Sequence, residues 1–382
     1  MRVLIIPSWY PTPAKPVSGV FVREQARALS RTHDLRVLYL HVLPRGEWRR
    51  PRRWVSREQG YVEEVVEVPN FPLLWQFLYL AYLVRAFARL RGRFRPDVVH
   101  CHVAVPAGWG GLLPRRLFKV PVVLTEHSSE FGPWLKRPGL RWMARRAFAG
   151  ADVVIAVSEG QRQNILRDFG VARRVVVVPN VVDTGRFQPT PLPPTEDGYR
   201  LLFVGLMDTQ QKGVPILLEA MAKLERSGER RVHLDLVGDG LLWGEYEEQA
   251  RRLGIEGAVT FHGLKPHAEM ARFFRECHIF VLPSLHESQG LVVIEALASG
   301  RPAVVTRCGG PEYLIDEGNG LVVEPGNAEQ LAGAIGQLLG NLDQYDPEGL
   351  AAEAAGRFGY EAVAGEITEV YESVRREGPP VA

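Results

Sequence analysis

Short runs of Val, Leu and Ile recur along the chain and alternate with longer stretches of helical spacing. One series reads Val3 to Ile6, Leu35 to Leu40, Val98 to His100, Val120 to Thr125, Val153 to Val157 and Val175 to Pro179. A second reads Leu201 to Gly205, Val232 to Val237, Val259 to Phe261, Ile279 to Leu282, Ala303 to Thr306 and Gly320 to Val323. Runs this uniformly apolar predict strands buried on both faces, which is how parallel sheets covered by helices are built. Two such series predict two doubly wound α/β domains. Phe187 to Gly198, FQPTPLPPTEDG, has the prolines and polar residues of an extended exposed linker, and the expected division is 1–190 and 198–360. Helical spacing returns from Tyr360 to Arg376 through Ile367, Val370, Tyr371 and Val374.

A length of 382 residues suits two domains of ordinary size, and 46% hydrophobic with 24% charged residues is a globular composition. Net charge of +2 supplies no field that calls for nucleic acid. Cys101, Cys277 and Cys308 are scattered and odd in number, which favours a reduced, cytoplasmic setting. The N-terminus enters a strand at once, without the regions of a signal peptide. The longest apolar stretch, Phe71 to Val84, is interrupted by Pro72 and Gln76 and falls short of the roughly eighteen residues a membrane span needs.

The most informative segment is PSLHESQGLVVIEALASGRPAVVTRCGG, Pro283 to Gly310. Gly290 opens an apolar helical run whose first unpaired N–H groups carry about half a positive charge, a seat for an anion. Glu287 lies in the loop before it, and Glu295 about 7 Å along the helix axis at about 1.5 Å per residue. Two carboxylates flanking a diphosphate suit a nucleotide sugar, which offers hydroxyls on both sides of its phosphates. A buried helix with one solvated Glu explains the two acids as well.

The full string resembles the E-x7-E signature of family 4 retaining glycosyltransferases, which have the GT-B fold: two Rossmann-like domains facing across a cleft, with a C-terminal helix crossing back. The chain resembles bacterial envelope and capsular polysaccharide enzymes of hexosyltransferase type. It covers nearly the whole chain, densest from Leu201 to Gly326, and implies that the tail, about 361–382, returns to the N-terminal domain. In FVGLMDTQQKGVPILLEA, it gives Gly205 and Lys212 a place against the donor phosphates. A lysine there stabilises a diphosphate as it leaves. Leu206 stands where the family commonly has a second, phosphate-binding arginine. Gly263 and Leu264 fall in the turn that holds the base, and PNVVDTGRF resembles a turn of domain structure. In the Pro-rich loop after the first strand, Gly19 is the one glycine where the family often has two, Ser18 replacing the other.

His127 follows a strand in VVLTEHSSEF and reaches the strand's carboxyl edge, where open α/β sheets bind ligands. The resemblance implies contact with the donor sugar; His100 and His102 fit a structural or an acceptor-side role equally. On this basis Glu287, Lys212 and His127 are the expected catalytic residues. Donor binding is expected from Gly19, Gly205, Gly263, Leu264, Ser288, Gln289, Gly290, Leu291 and Glu295. No Asp-x-Asp pair or zinc spacing appears, so no metal and no cofactor is expected, the nucleoside-diphosphate sugar being a substrate.

Three basic, aromatic stretches, Arg45 to Arg57, Leu73 to Arg95 and Trp134 to Arg146, fall in the N-terminal domain. Solvated helix faces give such runs, and so does peripheral contact with an anionic membrane, which would bring a lipid-linked acceptor to the enzyme from the inner face of the cell membrane. The expected function is metal-independent, retaining transfer of a sugar from a nucleoside diphosphate to a hydroxyl of a glycan or lipid-linked acceptor in envelope polysaccharide or glycolipid synthesis. The alternatives are a GT-B sugar-nucleotide epimerase and a catalytically silent nucleotide-sugar-binding protein.

Overall fold

The computed structural model describes residues 1–377 except 14, 48–49, 72–73, 129–130, 133–135, 171–173 and 229. Trp48, Arg49, Leu73, Trp134 and Leu135 of the basic stretches therefore lie outside the described residues. The chain divides into two compact units, Met1–Val181 with the C-terminal helix, and Val182–Gly359.

The first unit holds an eight-stranded sheet. Its strands are β1 (Arg2–Pro7), β2 (Asp34–Val42), β3 (Arg53–Ser56), β4 (Val62–Val68), β5 (Val98–His102), β6 (Val122–Glu126), β7 (Val153–Ala156) and β8 (Val175–Val177). They lie in the order β3-β4-β2-β1-β5-β6-β7-β8, all parallel except β3, which runs antiparallel to β4. Alternate residues of β1 point to opposite cores, Val3 and Ile5 to one and Leu4 and Ile6 to the other, as the period of two requires. Helices α1 (Val20–Ser30) and the C-terminal Tyr360–Glu377 cover the first face, the latter through Val363, Ile367, Val370, Tyr371 and Val374. Helices α2 (Trp75–Arg91), α3 (Trp109–Phe118), α4 (Pro138–Gly150) and α5 (Glu159–Phe169) cover the second.

Strands β3 and β4 are absent from the apolar pattern because their polar residues pair with each other. Arg53 Nε donates to Glu64 at 2.7 Å and the Arg52 amide donates to Glu67 at 2.8 Å. The C-terminal part of the first basic stretch is thus a sheet edge and not a helix face, and its charges neutralise acids of the neighbouring strand.

The second unit holds six parallel strands, β9 (Tyr199–Val204), β10 (Val232–Val237), β11 (Val259–Phe261), β12 (Ile279–Leu282), β13 (Ala303–Thr306) and β14 (Gly320–Val323). Their order, β11-β10-β9-β12-β13-β14, is that of a doubly wound dinucleotide-type sheet. It is flanked by α6 (Val214–Ser227), α7 (Trp243–Leu253), α8 (Met270–Glu276), α9 (Leu291–Ala298), α10 (Ala328–Gly340) and α11 (Pro347–Phe358), with α12 being the C-terminal helix of the first unit. The chain builds outward from β9 to β11, then returns to the other side of β9 with β12. The carboxyl ends of β9 and β12 form the switch point at which such sheets bind ligands.

The proline-rich segment is not a free linker. Fully buried Arg301 donates to Thr190 O at 2.8 Å, Thr190 Oγ1 at 2.7 Å and Pro191 O at 3.2 Å, as well as to Phe274 O at 2.9 Å and Arg275 O at 3.1 Å. The Val182 amide donates to Phe358 O at 2.8 Å, and Val182 and Phe187 join the second unit's core. The division accordingly falls at 181/182, ahead of the prolines. Among the described residues no helix is long and apolar enough to cross a membrane.

Arg301 is a cation buried among neutral acceptors, and burial holds its guanidinium below its ordinary value. Arg301→Met strands several buried carbonyls and is expected to lower unfolding free energy by about 3 kcal/mol. Urea unfolding and limited proteolysis check this: 188–197 should become the preferred cleavage region, and unchanged stability would refute the role given to Arg301.

Candidate active site

The switch point of the second unit brings together residues far apart in sequence. After β9 the chain passes Gly205 and the half-exposed Leu206, then makes a short turn at Gln210–Lys212 before α6. After β12 it runs from Pro283 to Gly290 before α9. Gly213 joins the two: its φ is +68°, and a Cβ there would lie 1.9 Å from Pro283 O, so no other residue permits this approach. Leu285 N–H donates to Gln211 O at 2.7 Å across the same gap. The consequence is a direct ion pair between Lys212 Nζ and Glu287, with side chains 28% and 10% exposed. The lysine and the glutamate expected at phosphate and sugar are thus one another's partners.

Helix α9 starts where the sequence places it. Gly290 precedes it at φ +91°, its carbonyl accepts from Val293 at 2.9 Å, and the N–H groups of Leu291 and Val292 have no partner within the helix. Ser288 and Gln289 are buried in the approach, and Ser288 N–H donates to Glu287 Oε1 at 3.2 Å. The Glu312 carboxylate accepts from the amides of Cys308, Gly309 and Gly310 at 3.3, 2.9 and 2.8 Å, fixing the turn that packs on Ser288 and Gln289. Burial, followed by the nearby Glu287 and Glu312 carboxylates, pushes the Cys308 thiol up to about 12, against opposing contributions from Thr306 and Lys212. That thiol is protonated and no nucleophile.

Glu295 is buried inside α9 and is not free. Its Oε1 lies 2.8 Å from His267 Nε2, and His267 Nδ1 lies 2.7 Å from an Arg186 guanidinium nitrogen. Guanidinium only donates, so Nδ1 is the acceptor, and Nε2 carries the proton that His267 donates to Glu295. The second Glu295 oxygen has no hydrogen-bond partner among the described residues and is the one left for a ligand. Nothing in the sequence marks His267 or Arg186 as site residues. The available signals were their neighbours: His267 follows Gly263 and Leu264 by a few positions, and Arg186 lies in PNVVDTGRF. Gly263 takes φ +73° after β11, its carbonyl accepting from Gly238, and Leu264 is half exposed beside it.

In the first unit, β1 and β5 are the neighbours at the switch point, and Ser8 N–H donates to His102 O at 3.0 Å. Gly19 precedes α1 at φ +67°, and a Cβ would stand 2.3 Å from Trp9 O, which ties the Pro-rich loop to the helix start. His127 lies at the carboxyl edge of β6 with its ring 4.3 Å from Phe21. Its Nε2 is 3.0 Å from His102 Nδ1, and the two rings stack at 5.3 Å. His100 is held on both nitrogens, by Tyr371 at 2.6 Å and Thr125 at 2.7 Å, which makes it a core residue. His102 sits behind His127 and orients it. Burial lowers His100 and His127 to about 3 and His102 well below its ordinary value, so all three rings are neutral at neutral pH. Burial conversely holds the Glu126 carboxyl above its ordinary range, although three amides donate to it.

These histidines gain protons on unfolding wherever pH lies between about 3 and their ordinary value of 6.5. Stability therefore falls as pH is lowered through that window, by about 1.4 kcal/mol per pH unit for each fully titrating ring. Glu126 works in the opposite direction, so the histidine share is isolated by difference. The expected outcome is that His127→Gln flattens the dependence of unfolding free energy on pH by about one such share, read from urea unfolding at several pH values.

Residues 18–186 match the family model described as Glycosyltransferase Family 4, and residues 198–341 the model described as Glycosyl transferases group 1. A D-inositol 3-phosphate glycosyltransferase of Corynebacterium urealyticum is 31% identical over 327 residues, covering 78% of this chain and 76% of that one. An uncharacterized glycosyltransferase of Methanocaldococcus jannaschii is 28% identical over 325 residues, 84% of this chain and 88% of that one. Among solved structures, sucrose-phosphate synthase from Thermosynechococcus elongatus superposes with a TM-score of 0.79 at 22% identity, over 99% of this chain and 100% of that one. Anabaena HepE in complex with UDP and glucose superposes at 0.76 and 21% identity, over 98% and 100%. The order of the two sheets, the turn and helix at Glu287 to Glu295 and these matches agree: the chain belongs to the family 4 glycosyltransferases and is an enzyme of GT-B fold.

Proposed function

We propose that the chain transfers a sugar, with retention and without a metal, from a nucleoside diphosphate to a hydroxyl of a glycan or lipid-linked acceptor, in envelope polysaccharide or glycolipid synthesis. The observation that carries this is the Lys212–Glu287 pair beside the first turn of α9, with Glu295 held in place farther along the same helix. Support comes also from HepE, solved with UDP and glucose and with UDP-glucose, and from relatives that are D-inositol 3-phosphate glycosyltransferases.

In this reading the diphosphate lies on the N–H groups of Leu291 and Val292 and takes over Lys212. Glu287, released from the lysine, accepts from sugar hydroxyls; Gly205 leaves room for the phosphates. The open oxygen of Glu295 accepts from the ribose, and Gly263 and Leu264 border the base. The bond from the anomeric carbon to the phosphate oxygen breaks as the acceptor oxygen bonds on the same face, and the acceptor's proton passes to the departing phosphate. Lys212 and the helix end stabilise the growing negative charge without rearranging. Neutral His127, oriented by His102, is proposed as a catalytic hydrogen-bonding group, with Gly19 supporting the adjoining loop.

Release of nucleoside diphosphate from UDP-, GDP- and ADP-sugars, with chelator present, tests the proposal. One donor should be turned over by the wild type, and Glu287→Ala should lose at least about a hundredfold of that rate, since it removes a group acting at the reacting sugar. Loss of turnover on adding chelator overturns metal independence, and an epimerised donor overturns transfer. A second expectation concerns His267, which positions Glu295 and does not touch the reacting atoms. His267→Phe should raise donor KM on the order of tenfold with a smaller change in kcat, the worth of one charge-assisted hydrogen bond. His267→Gln, which keeps a donor, should recover part of it; equal loss in both variants at unchanged KM would refute the positioning role.

A further inference from the structure

Helices α2, α3 and α4 lie side by side on one face of the first unit's sheet. Together they contain eight arginines, Arg85, Arg89, Arg91, Arg115, Arg116, Arg141, Arg145 and Arg146, and no aspartate or glutamate. Of these only Arg115 has a carboxylate partner among the described residues, Asp152 at 2.6 Å. In a chain of net charge +2 this is a strong local excess. The opposite face of the same sheet is covered by α1, with Arg23, Glu24 and Arg27, and by α12, with five glutamates against Arg375 and Arg376; the next helix on the basic face, α5, pairs Glu159 with Arg162 and Asp168 with Arg167. The basic patch therefore ends at α4.

The same three helices, with Leu74 just ahead of α2, expose apolar side chains that a water-facing surface does not need. Phe77 is 68% exposed, Leu74 and Leu117 are each 55%, and Trp142 is 52%. From Trp75 to Val84 helix α2 carries no charge at all, although much of that stretch faces outward. A groove of about 650 Å³ runs between the helices, lined by Leu80, Trp109, Leu112, Leu113, Trp142 and Arg146. The exposed residues gather around it: Phe77 is one turn from Leu80, Leu117 one turn from Leu113, and Trp142 forms part of the wall. The guanidinium of Arg146 lies over the Trp142 ring at 5.5 Å, and that of Arg91 over Phe118 at 4.7 Å, so each cation stands beside an aromatic.

We infer that this face docks on an anionic lipid bilayer, with Phe77, Leu74, Leu117 and Trp142 in the headgroup region and the unpaired arginines on lipid phosphates. Two features select this partner. Arginine without counter-charge calls for an anionic surface, and large apolar side chains set among the arginines gain nothing from a nucleic-acid backbone but are favoured at a bilayer boundary. The inference concerns the membrane contact of the proposed function, and its test uses no sugar donor, so it stands or falls apart from the transfer reaction.

The whole chain is floated with phosphatidylcholine vesicles, with and without phosphatidylglycerol, at low and high salt. Flotation only with the anionic vesicles, weakened by salt, is expected, with a blue shift of tryptophan emission on binding. Arg141→Gln with Arg145→Gln should bind on the order of thirtyfold more weakly, at about a factor of five per arginine. Phe77→Ser should also weaken binding, and thermal unfolding of both variants should match the wild type because these side chains are exposed. Three outcomes overturn the inference: no flotation with anionic vesicles at low salt, flotation that neither variant weakens, or a lipid-free dimer in sedimentation that Phe77→Ser dissociates. The last would assign the face to a second copy of the chain.

Discussion

Two strands that leave a parallel sheet side by side and turn toward opposite faces create an opening between their loops, and in the second unit that opening lies at the ends of β9 and β12. Everything proposed for the donor depends on how tightly the loops close. A backbone contact at Gly213 and Pro283, possible only for glycine, brings them together, and an amide bond from Leu285 to Gln211 holds them. Lys212 then meets Glu287, and the start of α9 stands beside the pair. The two charges satisfy each other, which keeps a partly shielded cation from standing alone. In the proposed reaction the lysine exchanges this partner for a diphosphate of greater charge, and the carboxylate turns to sugar hydroxyls.

Buried polar groups are handled in three different ways around this frame. Arg301 keeps its charge and is surrounded by four carbonyl oxygens from two separate segments, Thr190–Pro191 and Phe274–Arg275, so the cation acts as a clamp on the proline-rich segment. The three histidines at the edge of the first unit give up their charge, since burial makes the neutral ring the cheaper form. Glu295 stays fixed by a donor chain from Arg186 through His267, which leaves it one open oxygen. Clamp, neutral stack and donor chain each settle a buried polar atom, and the latter two also aim it.

The first unit is electrically lopsided about its sheet, with arginine-rich, aromatic helices on one side and a glutamate-rich helix on the other. Core packing does not require this, because the charges all lie on the outer surfaces. It gives the unit a direction: approach to an anionic boundary by one face is favoured and by the other opposed.

The sequence by itself determined the two parallel-sheet domains, since runs buried on both faces can be nothing else at that length and spacing, and it determined the helix start at Gly290, where the backbone takes a positive φ. It also held the family, through the string from Glu287 to Glu295. The edge strand β3 and its neighbour β4 were hidden because their glutamates and arginines satisfy one another across the strands, a pairing that leaves no apolar period. The proline-rich segment read as an extended exposed linker, with no sign of its anchor, because Arg301 is more than a hundred residues away. Only the tertiary structure decided that Lys212 pairs with Glu287, that His267 and Arg186 hold Glu295, and that His100 belongs to the core while His102 backs His127. The physical reason is common to all of these: a hydrogen bond or ion pair is fixed by position in space to within an ångström, whereas hydrophobic periodicity records only which side of an element faces inward.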